Sequence, residues 1–141
     1  AALICWETLL PDLCREFILS GAQFIANISN EARFGKTEAP YLILAANVFR
    51  AVENGIYVAR CANTGISCII DPFGEIITRV HSEQGNDIFV QGVLTGTVLA
   101  KNTFTFYTRY GDIFAKSCIV ASLVFVLYAI IMKQPRHDGI R

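Results

Sequence analysis

Hydrophobic and polar positions change period several times along the chain, and each change marks an element. A short apolar run at Leu3-Ile4 reads as the end of a strand. Pro11-Asp12 then opens a helix at the position where a missing N–H costs nothing, and Gly21 suits the left-handed residue that closes it. Residues 24–28 form a short buried strand, followed by the polar loop Ser29-Asn30-Glu31. The pattern over 39–54 predicts a helix with Leu42, Ala45, Ala46, Phe49 and Val52 on its apolar face and Gly55 as its stop. Four β-type runs follow, at 56–59, 67–70, 76–78 and 88–93. Between the second and third, Asp71-Pro72-Phe73-Gly74 places proline and glycine where a type I turn prefers them. Strands and helices alternating in this way indicate an α/β layered domain, here over 1–112.

The pattern then stops alternating altogether. Residues 117–132 hold no charge, and extending the run back to Ile113 adds only Lys116. Twenty such residues match a hydrocarbon core of about 30 Å. No amphipathic stripe is visible and the flanks are polar, so 113–132 reads as a transmembrane helix rather than a core helix. Lys116 can snorkel, and Tyr107 and Tyr110 suit an interfacial belt. A short polar tail, 133–141, completes the chain. Lys133, Arg136 and Arg141 on one side nearly balance Lys101, Arg109 and Lys116 on the other, so charge alone sets no orientation.

Composition narrows the function. Hydrophobic residues make up 53% and charged ones 17%, against about 25% charged in a typical soluble domain; the span explains part of the excess. Twelve basic and twelve acidic residues give zero net charge with no basic stripe, which excludes a nucleic-acid binder. The cysteines, at 5, 14, 61, 68 and 118, contain no C-x-x-C pair, and the only histidines are His81 and His137. That argues against a zinc ribbon or a regular disulfide framework, and no metal or cofactor is expected. With no initiator Met and an apolar opening, the chain reads as a fragment.

Cys5 is the candidate for chemistry. It ends a strand and precedes a turn into a helix, a place that favours a thiolate. Free cysteines are nonetheless usually small core residues, and position alone does not decide. The surrounding blocks do more. ICWETLLPDLCREFILSGAQFIANISNEARFG resembles the catalytic-cysteine region of apolipoprotein N-acyltransferases, where ICYE is followed by a proline, an arginine, GA and N-x-S-N-D-x-W-F-G. RAVENGIYVARCANTGIS, IDPFGEI and TFYTRYGD resemble, in order, the family's later blocks up to its last membrane helix. The resemblance covers nearly the whole chain.

This resemblance implies part of a nitrilase-like αββα sandwich followed by one transmembrane helix. It implies Cys5 as the nucleophile, taking an acyl chain from a phospholipid as a thioester and passing it to the α-amino group of a diacylglyceryl-cysteine apolipoprotein. A cysteine suits such a two-step transfer. The family's glutamate base and lysine lie upstream of the cysteine, so the isolated chain is expected to be inactive. Glu7 is expected to support the site or to be an ordinary loop residue. Trp6, Asn30, Glu31 and Phe34 are expected to bind substrate or shape the site. Trp6 stands where the family has Tyr and lacks its hydroxyl; Glu31 replaces Asp, and Arg33 replaces Trp. The family topology puts 1–112 outside the cytoplasmic membrane and the tail inside. The alternatives are a nitrilase-type amidase, which needs no membrane span, and a non-catalytic membrane-anchored fragment.

The remaining polar residues read as structural. Arg50 and Glu53 are spaced for an ion pair. Asn63, Thr64 and Gly65 form a loop near the site, Asp71 caps its turn, and His81 is solvated. Cys14, Cys61 and Cys68 are expected to pack in the core, with Cys118 in the span.

Overall fold

The computed structural model describes residues 1–100 and 103–133. Lys101, and the tail beyond Lys133 with Arg136, His137 and Arg141, lie outside the described residues. The chain divides into two compact units, Ala1–Gly111 and Asp112–Arg141.

The first unit is built on one five-stranded sheet in sequential order: β1 (Ala2–Ile4), β2 (Phe24–Ser29), β3 (Tyr57–Ala62), β4 (Cys68–Ile70) and β5 (Ile76–Arg79). The first three strands are parallel, and β3, β4 and β5 pair antiparallel. Parallel neighbours need crossovers, and α1 (Pro11–Leu19) and α2 (Ala39–Asn54) supply them. Both pack on one face. Leu3, Ile25, Val58, Cys68 and Ile70 from the strands form a single core with Cys14 and Ile18 of α1 and Leu44 and Ala51 of α2. The left-handed Gly55 closes α2, with the Ile56 N–H donating to the Ala51 carbonyl at 3.1 Å. The Asp71 carboxylate caps its turn, accepting from the N–H groups of Phe73 and Glu75, both at 2.8 Å.

The other face of the sheet is open. Ile4, Ile28 and Cys61 stand in one row across β1, β2 and β3, and all three are exposed. Residues 92–98 lie over its β4 end, where Gly96 comes so close to Ile69 that a Cβ would sit 2.4 Å from its Cδ1. One sheet with helices on one side and an apolar face on the other is half of an αββα sandwich, and the fold class is mixed α/β.

Three sequence expectations are corrected. The run 88–93 is not a strand: Phe89 has φ +55°, outside extended geometry, and Val93 is almost fully exposed. The face predicted to be apolar on α2 turns outward, leaving Leu42, Phe49 and Val52 exposed, while Asn47, Arg50 and Asn54 are buried with Ile43 and Leu44. The Asn47 and Asn54 side-chain amides donate to the Ile43 and Arg50 carbonyls one turn earlier, at 2.9 and 3.1 Å, so polar residues sit on the inner face and hydrophobicity alone misassigns it. Cys61 lies on the open sheet face rather than in the core.

The segment 103–111 adds a five-residue helix, α3 (Phe106–Tyr110), that the periodicity does not reveal. The Thr105 hydroxyl caps it by accepting from the Thr108 N–H. Thr108 donates to Asn54 at 3.0 Å and its carbonyl accepts from Arg15 at 3.1 Å, fixing α3 to the helical layer.

The second unit is α4 (Ile113–Met132), twenty residues with a mean hydropathy of 2.2. At 1.5 Å per residue it is about 30 Å long. It is the one helix among the described residues long and apolar enough to cross a membrane. Its serines keep their hydroxyls satisfied within the helix: Ser117 donates to the Ile113 carbonyl and Ser122 to the Cys118 carbonyl, both at 2.8 Å.

Candidate active site

Cys5 occupies a sharp elbow. It follows β1 directly and has φ +53°, a left-handed conformation that costs a non-glycine residue about 1–3 kcal/mol. The turn after it is a five-residue 3₁₀ turn (Cys5–Leu9) rather than the start of a helix, and α1 begins only at Pro11. Glu7 holds this corner. Its carboxylate accepts the Ile4 N–H at 2.7 Å, while its own carbonyl accepts from Leu10 at 3.0 Å. Arg50 reaches across from α2 to the Thr8 carbonyl at 3.3 Å and pairs with Glu53 at 2.6 Å.

Parallel pairing with β2 brings the second segment of the site alongside. The Cys5 thiol lies 3.9 Å from the Asn30 carbonyl, and the buried Ser29 hydroxyl donates to its sulfur at 3.7 Å. The third segment comes from the end of β3. Asn63 donates from its side-chain amide to Asn30 at 2.8 Å and accepts the N–H of Glu31 at 2.9 Å. The Asn63 loop thus holds Asn30 and Glu31, and the β1–β2 pairing sets Asn30 beside Cys5.

Glu31 is fully buried and pairs with Arg60, itself buried on β3. Its carboxylate therefore faces Arg60 rather than solvent. Gly65 is required there, because a Cβ would sit 1.9 Å from the Glu31 Oε2. Arg60 is the residue that sequence reasoning missed. Its only signal is parity: Val58, Arg60 and Ala62 point to the same, buried face of β3, and a buried charge demands a partner.

On the outer side of the elbow the surface is aromatic. The Trp6 and Phe34 rings lie 5.8 Å apart, and the Arg33 guanidinium sits 5.5 Å above Phe34. The arginine that replaces an expected tryptophan thus stacks on its neighbour. Trp6, Leu9, Phe34, Ala39, Leu42 and Ile43 line an apolar groove of about 190 Å³.

Burial pushes Cys14 and Cys68 each from 9.0 up to about 11, so both stay protonated at neutral pH. Among the described residues no cluster of His, Cys, Asp or Glu could hold a metal ion.

Residues 1–100 match the carbon-nitrogen hydrolase family. The apolipoprotein N-acyltransferase of Geobacter metallireducens is 38% identical over 96% of this chain and 25% of its own length. That of Chlorobaculum tepidum is 32% identical over 95% of this chain and 24% of its own. The chain thus spans about a quarter of the length of these relatives. A carbon-nitrogen hydrolase structure from Helicobacter pylori aligns over 56% of this chain and 35% of its own, with 16% identity and a TM-score of 0.49. The chain belongs to the carbon-nitrogen hydrolase family.

Proposed function

We propose that this member of the carbon-nitrogen hydrolase family carries the nucleophile of an apolipoprotein N-acyltransferase. The observation that carries the reading is the apolar groove on the outer side of the Cys5 elbow, faced by Trp6 and Phe34, whose lining suits a stretch of hydrocarbon rather than a small polar amide. The names of the relatives support the same class of reaction.

In the first step the Cys5 sulfur attacks the carbonyl carbon of a phospholipid ester. The ester C–O bond breaks, the lysophospholipid alkoxide leaves with a proton, and an acyl thioester remains on Cys5. In the second step the α-amino nitrogen of a diacylglyceryl-cysteine attacks the thioester carbonyl. The C–S bond breaks, an amide forms, and the amine's proton returns to the thiol. The tetrahedral intermediate of each step needs aimed donors, a role this reading gives to a backbone N–H beside the nucleophile and to the family's lysine. The general base and the lysine that the family resemblance implies lie before the cysteine in that family, so the transfer is assigned to the native full-length protein. Glu7 holds the elbow through Ile4 and is not the base.

Trp6, Phe34 and Leu42 receive the acyl chain, while Asn30 and Glu31 shape the floor. α4 crosses the inner membrane, with residues 1–112 on its extracytoplasmic side, where both lipid and acceptor are present. The test is transfer by the native full-length protein from a labelled phospholipid to a synthetic diacylglyceryl-cysteine peptide. An amide-linked acyl chain on the peptide is expected. Hydrolysis of short amides without transfer would favour the amidase reading instead.

A further inference from the structure

Arg60 lies at the centre of three segments that build the site. Its Nε donates to the Ile66 carbonyl at 2.9 Å, one Nη donates to the Asn27 side-chain oxygen at 2.6 Å, and the other pairs with Glu31. Asn27 in turn donates to the Leu3 carbonyl at 3.1 Å, two residues before Cys5. Glu31 follows Asn30, whose carbonyl meets the Cys5 thiol. Ile66 closes the loop whose Asn63 holds the Asn30 side chain. One guanidinium therefore ties the strand before the nucleophile, the residue against its sulfur and the loop behind both.

Stability alone is a poor reason for such a group. Replacing a buried ion pair by neutral residues of similar size is often neutral or stabilising, whereas a planar fork with fixed donors sets geometry. The side chains of Arg60 and Glu31 are both inaccessible to solvent, so neither meets a substrate. Arg60 acts through what it holds.

We propose that Arg60 is a positioning residue for Cys5, fixing the elbow and Asn30 in the geometry that acylation requires. The inference rests on the nucleophile reading above. Its test uses the native full-length protein and an activated ester, a p-nitrophenyl fatty acyl ester, so that neither phospholipid nor lipoprotein is needed. The rate constant for Cys5 acylation and the half-saturating ester concentration are measured separately. Alkylation of the buried Cys14 and Cys68, read by peptide mass spectrometry, reports whether the fold is intact.

In the double variant Arg60→Met with Glu31→Gln no charge is left orphaned. Cys14 and Cys68 are expected to stay protected. The Cys5 acylation rate constant is expected to fall by roughly 30- to 100-fold, the scale of an ångström's misplacement, with half-saturation little changed. Arg60→Lys, which keeps the charge but not the fork, is expected to recover only part of the rate. Acylation at the wild-type rate with both thiols protected would overturn the inference. If the double variant loses protection, Asn27→Ala decides: it cuts the Arg60–Asn27–Leu3 link while leaving the contacts of Arg60 with Glu31 and Ile66 in place, and must still slow acylation several-fold, an unchanged rate again overturning the inference. A wild type acylated by the ester but transferring nothing from phospholipid would sink the proposed function and leave the Arg60 result standing.

Discussion

Gly65→Ala puts the packing beneath the site under direct strain. The added methyl would lie 1.9 Å from the Glu31 Oε2, 2.6 Å from its Cδ and 3.2 Å from the Ala62 Cβ. Glu31 has nowhere to retreat, since its side chain is fully enclosed and its carboxylate is bound to Arg60. Overpacking costs about 1–3 kcal/mol and breaking a buried ion pair about 3–5 kcal/mol. A loss of about 3 kcal/mol corresponds to a roughly 150-fold rise in the population of locally opened protein. Cys68 is the natural reporter. It faces Arg60 across the β3–β4 ladder and is 1% exposed, so reagents reach it only when that region opens. Its alkylation rate in Gly65→Ala should rise by about two orders of magnitude. Glu31→Asp, shorter by one methylene, should make room and return most of that protection when combined with Gly65→Ala. A Gly65→Ala protein whose Cys68 reacts at the wild-type rate would refute the close approach of Gly65 and Glu31.

Three further outcomes follow from the same structure. Cys14 and Cys68 titrate at about 11 when folded against an ordinary 9.0, so the folded state favours their protonated form. Their contribution is complete well below pH 9 and is lost as pH rises toward 11, about 3 kcal/mol at most for each thiol; denaturation midpoints at pH 8 and 11 should diverge less in a Cys14→Ala/Cys68→Ala protein. Trp6→Ala and Phe34→Ala should lower kcat/KM for long-chain donors by roughly 5- to 30-fold and spare short-chain ones, as a chain-length series of esters would show. Leu123→Arg, near the middle of α4, should cost about 2.5–3.5 kcal/mol of insertion and lower the inserted fraction of this helix in a glycosylation-reporter assay.

Much of the fold is legible because local chemistry and tertiary structure agree there. Pro11 opens α1, Gly55 closes α2 in the left-handed region, and Asp71 caps its turn, as their residue types demand. The helix over 113–132 is read from composition alone, because its apolar run is interrupted only by Lys116. Legibility fails where a polar residue is buried. The inner face of α2 carries Asn47, Arg50 and Asn54, so a search for apolar positions selects Leu42, Phe49 and Val52 on the wrong side. Run 88–93 has strand composition, but the positive φ at Phe89 removes it from the sheet. The site divides in the same way. Cys5, Trp6 and Phe34 are visible as a linear motif and converge in space. Arg60 acts on Glu31 across 29 positions and on Asn27 across 33, pairings that become visible only once the β2–β3 register is known.

Intact-mass spectrometry of the native full-length protein in phospholipid micelles, beside its Cys5→Ala variant, tests the central claim most directly. The account predicts a mass increase of one acyl chain on the wild type, removed by hydroxylamine and absent from Cys5→Ala. A folded wild type without the adduct, or an adduct that persists in Cys5→Ala, would contradict it.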